Sequence, residues 1–296
     1  MLLKKRTTIR RREVLWATAF LAPTLVVIAT LRLWPILSAL SMSLFRGLPG
    51  SIHPPTFVGL GQYEELFSDP MFLATLLRTV VFNLIINPLQ VVIALLLAVL
   101  LTSRVAGARF WRLLLFIPCL IPIVGSAVAW QIALLPDGPV NALLAAVGIG
   151  AQPFFTSPAQ AMGSIILVAS WVGVGFWMLF LVAGLQSIPT EYYEAAKIDR
   201  AGPIRTFISV TLPLLRRPLL FVIVATTIAN FVLFVPIQVL TQGGPQSSTT
   251  VLMFSAYITS FTYGDRYNGA AQILLLTLVM LVCVAIQFRL LREEKA

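Results

Sequence analysis

Glu191-Tyr-Tyr-Glu-Ala-Ala-Lys-Ile-Asp-Arg-Ala-Gly-Pro203, running on to Val210-Thr-Leu-Pro213, is a charged island between two strongly apolar stretches. Thr190 offers an N-cap after Pro189, and Glu191 and Glu194 fall in the first turn, where carboxylates favour the helix dipole. Tyr192, Ala195, Ala196 and Asp199 recur at i, i+3, i+4 and i+7, which predicts one shared helix face. The two alanines let another surface come close, while Glu194 and Asp199 offer charge to cationic side chains. Gly202-Pro203 is expected to end this helix and start a second, with Ile204, Phe207 and Ile208 on one side. Leu212-Pro213 closes it before Arg216 and Arg217. A plainer alternative is an amphipathic connector lying on lipid headgroups. Three acids (Glu191, Glu194 and Asp199) suit an anionic leaflet poorly, which favours docking of a soluble protein.

The flanks decide the fold class. The chain has 296 residues, 58% hydrophobic and 11% charged, with a mean hydropathy of +0.93. Several membrane-crossing helices require such a make-up; a soluble core does not. An all-α integral membrane protein is predicted, with six transmembrane helices near 14–44, 72–102, 110–135, 160–186, 219–241 and 270–291. The organisation is then a basic tail (1–13), a six-span unit (14–291) containing the loop 187–218, and a short tail (292–296). The first apolar stretch is too long for a signal-peptide core and lacks a small-residue cleavage site, so it is expected to be retained. His53, Cys119 and Cys283 leave no material for a metal site, a disulfide framework or a catalytic cluster. Reduced, buried thiols are expected at both cysteines.

The net charge of +10 does not point to nucleic acid, because the cations collect at the ends of apolar spans. Lys4, Lys5, Arg6, Arg10, Arg11 and Arg12 precede the first span, and Arg104, Arg109 and Arg112 separate the second from the third. Lys197, Arg200, Arg205, Arg216 and Arg217 lie in the island, and Arg289, Arg292 and Lys295 at the carboxyl end. The opposite loops hold Arg46 and Arg266 beside Glu64, Glu65, Asp69, Asp137 and Asp265. Both termini and the island are thus expected on the cytoplasmic side. Arg32 and Arg78 lie inside spans, where charge normally marks function. At about 1.5 Å per residue, Arg32 sits about 27 Å from Val14 and Arg78 about 36 Å from Thr102, close enough to the outer interface to snorkel.

Glu194-Ala195-Ala196 followed at fixed spacing by Leu212-Pro213 resembles the EAA loop of bacterial ABC-type import permeases. That pattern has Gly where this chain has Arg200, and Ile where it has Val210. Gly202-Pro203, two residues on, is expected to supply the turn that a Gly at 200 would make. Leu240-Thr-Gln-Gly-Gly-Pro245 with Thr249 resembles the Leu-Thr-x-Gly-Gly-Pro segment of sugar and polyol permeases. Phe57-Val-Gly-Leu-Gly-Gln-Tyr63 resembles their outer-loop segment, with Gln62 in place of Asn. Together the three are similar to the MalF/UgpA-like branch of carbohydrate-uptake permeases. The resemblance implies a type I ABC importer permease fold in a bacterial cytoplasmic (inner) membrane. It implies a homologous second permease subunit, an ABC ATPase dimer at the island, and an extracytoplasmic solute-binding protein, with membrane lipid around the spans. The coupling residues it implies are Glu191, Glu194, Ala195, Ala196, Asp199, Arg200, Gly202, Leu212 and Pro213. The solute class is a sugar or related polyol, including a disaccharide, an oligosaccharide or a glycerophosphodiester.

A phosphate-binding loop needs Gly followed by Lys, and none of Lys4, Lys5, Lys197 and Lys295 follows a Gly. No cofactor is therefore expected in this chain. ATP and Mg belong on the partner ATPase, and the chain is expected to be a transport subunit and not an enzyme.

Polar residues inside spans are the candidates for a solute path, since each is costly unless it faces water or a partner. Asn83, Asn87 and Gln90 share a face of the second span; Asn230, Phe234 and Gln238 form a stripe on the fifth. Trp171, Phe176 and Trp177 crowd the fourth, beside Gly173 and Gly175. Aromatic faces with amides suit a sugar; helix–helix packing is the alternative. Pro88 and Pro236 are expected to kink their helices. A stand-alone secondary transporter or channel is the alternative function, and would normally need deep ionisable groups or a visible repeat.

Overall fold

Asp69-Pro70 starts the helix around which the others gather. The Asp69 Oδ1 accepts from the Met71 N–H at 2.9 Å and Pro70 occupies the first turn, a strong N-terminal signal. In the computed structural model, which describes residues 11–47, 50, 53–103 and 106–291, this helix, α4, runs unbroken over Pro70–Thr102. At about 1.5 Å per residue it is about 50 Å long, more than a bilayer's hydrocarbon core needs, and Pro88 does not interrupt it.

Ahead of α4 come α1 (Arg11–Ile28), a π-helical turn (Ala29–Leu33) and α2 (Trp34–Met42), which form the first span. The basic tail 1–10, Arg104 and the 292–296 tail lie outside the described residues. None of the apolar window in Trp16–Met42 is buried, and the α2 end lies against the last helix. A small hairpin follows, with β1 (Phe45–Arg46) paired antiparallel to β2 (Thr56–Phe57), and then α3 (Gly61–Ser68). Gln62 is buried and donates to the Phe45 carbonyl, Tyr63 donates to Ser43 Oγ at 2.8 Å, and Arg46 pairs with Glu65. The Phe57–Tyr63 segment therefore ties this hairpin to the bundle.

The predicted third span is a correction. It is two helices, α5 (Ala108–Leu120) and α6 (Ile123–Ala133), bent by 97° across Ile121-Pro122. Pro118 and Pro122 remove amide donors on either side of the break. Among the described residues, five helices are long and apolar enough to cross a membrane, and six if this bent pair counts as one span. After α7 (Pro139–Ala146) comes α8 (Ala161–Gln186), the most buried of the spans. The island folds as α9 (Thr190–Ile198), α10 (Pro203–Thr206), a π-helical turn (Phe207–Thr211) and α11 (Leu212–Leu214). The fifth span is broken into α12 (Arg216–Phe231) and α13 (Val235–Leu240), with Pro236 in the first turn of the second piece. A loop leads to α14 (Leu252–Tyr257), a π-helical turn (Ile258–Thr262) and α15 (Arg266–Leu291).

Helices in lipid gain little from burying apolar surface against one another, so close backbone approach and polar bonds carry the packing. Ala94 and Ala98 of α4 are fully buried against α8 and α12, with Met178, Leu181, Leu215 and Val222. A Cβ on Gly175 would sit 1.8 Å from the Leu115 carbonyl oxygen, so α5 and α8 touch backbone to backbone. A Cβ on Gly184 would lie 2.8 Å from the Pro218 ring, so the start of α12 also packs closely on α8. A second core joins Phe82 and Ile86 to Ile165, Ile237 and Phe254, and a third joins Phe72 to Phe231, Leu252 and Ala271.

Candidate functional site

The island stands beyond the apolar ends of α8 and α12 as a knob. Its inner side is held by buried Ala196 and by Thr211, which donates to the Tyr193 hydroxyl at 3.3 Å. Behind it lies a cavity of about 470 Å³ bounded by Tyr193, Phe207 and the end of α4. The outer side exposes Glu191, Glu194, Ala195, Asp199 and Arg200. It also exposes Ile198 at 82%, Ile204 at 75% and Ile208 at 57% of their surface. The predicted face is thus split, with Ala196 turned in and Tyr192, Ala195 and Asp199 turned out. Pro213 is exposed and Leu212 half-buried.

Two local expectations are corrected. Pro189, not Thr190, occupies the N-cap, and Thr190 is the first helical residue. Gly202 has φ −66° and ψ 168°, ordinary extended backbone, and does not make the turn. Arg200 makes it, at φ 52°. The Arg200 N–H donates to Lys197 O at 3.0 Å and the Ala201 N–H to Ala196 O at 2.9 Å, the paired bonds of a Schellman C-cap. The left-handed residue at that cap is usually Gly; here an Arg takes the strain because the two bonds and the following Pro203 leave no other route.

The intramembrane amides form a network. The Asn230 Nδ2 donates to Asn87 Oδ1 at 2.7 Å and to Gln90 Oε1 at 3.0 Å. Asn87 donates to Asn83 Oδ1 at 3.2 Å, Asn83 to Thr79 O at 2.9 Å, and Gln90 to Ser170 Oγ at 3.4 Å. All four amides are buried, and they tie α4 to α12 and α8. Trp177 is buried edge-on to Phe176 at 5.0 Å, and Trp171 packs edge-on to Trp130 at 5.5 Å beside an apolar groove. The predicted stripe on the fifth span is divided by the break at 232–234. Asn230 enters the network, Phe234 lies 4.4 Å from the Tyr257 ring, and Gln238 faces elsewhere.

Gln238 faces a chamber of about 820 Å³. Its walls are the start of α4 (Asp69, Thr75), the loop 241–250, α14 with its π-helical extension (Ser255, Thr259, Thr262) and the start of α15 (Asp265, Asn268, Gln272). The loop wall is backed by mutual bonds: Thr241 and Thr249 hydroxyls at 2.7 Å, Thr249 to Gly244 O at 2.8 Å, and Thr250 to Gly243 O at 3.0 Å. Gln242, Gln246 and Ser247 all have positive φ, at 50°, 51° and 58°. Arg78 donates to Thr75 Oγ1 and to Thr250 O, each at 3.4 Å, so its head is engaged with this loop and does not simply snorkel. Arg32 is exposed on the first span. The chamber residues beyond 250 escaped sequence analysis, although Ser255 and Thr259, and Asn268 and Gln272, repeat at i+4 as clearly as the amides of α4.

A family model described as "Binding-protein-dependent transport system inner membrane component" matches residues 70–293. The lactose transport system permease protein LacF of Rhizobium radiobacter is 31% identical, with 98% of each chain covered. The sn-glycerol-3-phosphate transport system permease protein UgpA of Yersinia pestis is 32% identical, with 92% of each covered. Among solved structures, a bacterial ABC transporter involved in the import of the acidic polysaccharide alginate matches with a TM-score of 0.81. That match has 21% identity and covers 97% of this chain and 98% of the other. The same kind of transporter bound to an alginate pentasaccharide-loaded periplasmic protein gives a TM-score of 0.82 at 22% identity, covering 96% of each chain. The multi-pass helical architecture, the family match over most of the chain and the near full-length relatives agree: the chain belongs to the family of binding-protein-dependent transport system inner membrane components.

Proposed function

We propose that this permease works as one of two homologous membrane subunits of an ATP-driven type I importer for a sugar or related polyol. A disaccharide, an oligosaccharide and a glycerophosphodiester all fall in that class. Its full-length likeness to LacF and UgpA supports the class, as does the 240–245 segment.

The observation that carries the coupling half is the knob. Ile198, Ile204 and Ile208 hang in the open on a segment that also exposes Glu191, Glu194, Lys197, Asp199 and Arg205. An apolar cluster with a charged rim is how a protein interface looks before its partner arrives. The partner in this reading is the ATPase dimer, which holds ATP and Mg, on the cytosolic side with both termini. Closure of that dimer draws the 190–213 segments of the two permeases together and opens the path outward, where a loaded solute-binding protein delivers its cargo. Hydrolysis reverses the movement. Glu191, Glu194, Ala195, Asp199 and Arg200 transmit force and perform no chemistry. Ala196 seats the helix, and Gly202, Leu212 and Pro213 shape the return to the membrane.

The test is Glu194→Lys and Asp199→Lys in the assembled transporter in vesicles. Binding-protein-stimulated ATP hydrolysis is expected to fall by about tenfold, one 1.4 kcal/mol contact, with assembly retained. Unchanged stimulation in both variants would refute the docking role.

A further inference from the structure

The chamber carries more than a general polar character. We propose that it is a solute site for a neutral, polyhydroxylated molecule and that it turns anionic solutes away. This rests on the importer reading above and narrows its solute class. Three observations converge on it.

First, the chamber wall holds one hydrogen-bonding atom that the protein does not use. The Gln238 Oε1 is buried without a partner, a liability that a ligand hydroxyl would remove by donating to it. Ser255, Thr259, Asn268 and Gln272 form the opposite wall, tied together by bonds of the Gln272 amide.

Second, the wall is strained. Three non-glycine residues within six positions are left-handed, each unfavourable on its own. The threonine bonds around Gly243 and Gly244 hold them there. Such over-determined backbone is found at ligand clamps. Gln242, Thr262 and Tyr263 are exposed at the rim, which gives a route in.

Third, the lining charges have one sign. Among the described residues, Asp69 and Asp265 are its charged members, and no Lys, Arg or His joins them. Arg78, the nearest cation named by these contacts, lies outside the lining with its head on Thr75 and Thr250. Asp69 is exposed and Asp265 half-buried, and like charge at the chamber disfavours phosphate and uronate groups while leaving neutral hydroxyls unaffected. The volume, about 820 Å³, falls within the range of roughly 300–1,000 Å³ usual for small-molecule sites.

The experiment uses the complete transporter in proteoliposomes, with Cys119 and Cys283 replaced by Ala. Gln238→Cys and Thr262→Cys are made separately, so that one failure to fold leaves the other. Each is titrated with cationic and anionic methanethiosulfonates, normalised to a free thiol. Uptake of labelled lactose, maltose and raffinose is compared with that of glycerol 3-phosphate and a uronate disaccharide. Reaction is expected to be about tenfold faster with the cationic reagent, and slower when a transported neutral saccharide is present. An Asp69→Asn, Asp265→Asn pair should erase the charge preference. Neutral-saccharide uptake without protection of either cysteine, or without a charge preference, would overturn the chamber while sparing the importer reading. Uptake confined to the anionic solutes would overturn the neutral class. ATP-driven uptake of none of them would count against the importer reading itself.

Discussion

Two of the polar segments in this apolar chain, the loop 241–250 and the knob at 190–213, hold polar or charged residues in left-handed backbone. The loop 241–250 has three and offsets them internally, with threonine hydroxyls on Gly243 and Gly244 carbonyls and Arg78 on Thr250. The knob at 190–213 has one, Arg200, held by two backbone bonds. Beside it, Ile198 and Ile204 are exposed by three-quarters or more. The first segment is finished by its own chain. The second has the form of half an interface, strained at its turn and apolar at its tip.

That contrast separates stability from coupling. The largest effect belongs to Ile204→Asp, which puts a charge among the exposed isoleucines of the knob. ATPase stimulation is expected to fall about thirtyfold, the size of a 2 kcal/mol interface residue. Thermal unfolding of the purified permease should move by less than about 0.5 kcal/mol. An unfolding shift as large as the coupling loss would place Ile204 in the fold and not in an interface.

Gly243→Ala tests the opposite segment. Gly243 has φ 83°, and a Cβ there would meet the Phe254 ring and Thr250 Oγ1, each at 2.7 Å. Both terms act against the folded state, and a loss of about 2 kcal/mol is expected in detergent unfolding. A neutral result would mean that the loop re-forms around the methyl group.

Arg200→Gly should give the smallest effect, with the opposite sign. It relieves left-handed strain but adds backbone freedom to the unfolded chain, so a gain of about 0.5 kcal/mol is expected. Destabilisation would show that the Arg200 side chain, and not only its backbone, holds the turn.

How much of this was legible in the sequence depended on whether the signal was local. Apolar length found the spans, because a stretch such as Pro70–Thr102 has no other stable setting. It could not show that the third span bends by 97° at Ile121-Pro122, since prolines are common in spans and do not by themselves fix an angle. The Glu-Ala-Ala island was legible as an outlying charged helix. Its turn was misassigned to Gly202 because glycine is the usual sign of a left-handed residue, and here Arg200 is held in that form by the cap bonds. Spacing found Asn83, Asn87, Gln90 and Asn230, but it could not tell which amides bond one another. It missed Thr259 and Gln272, whose partners lie on another helix.

The most direct measurement places a photoreactive amino acid at Ile198, the most exposed apolar residue of the knob, in the assembled transporter. A crosslink to the ATPase subunit whose yield changes when ATP is added is the expected result. A crosslink to lipid alone, or none above the background of an exposed control on α7, would contradict the claim that this segment is where the motor grips.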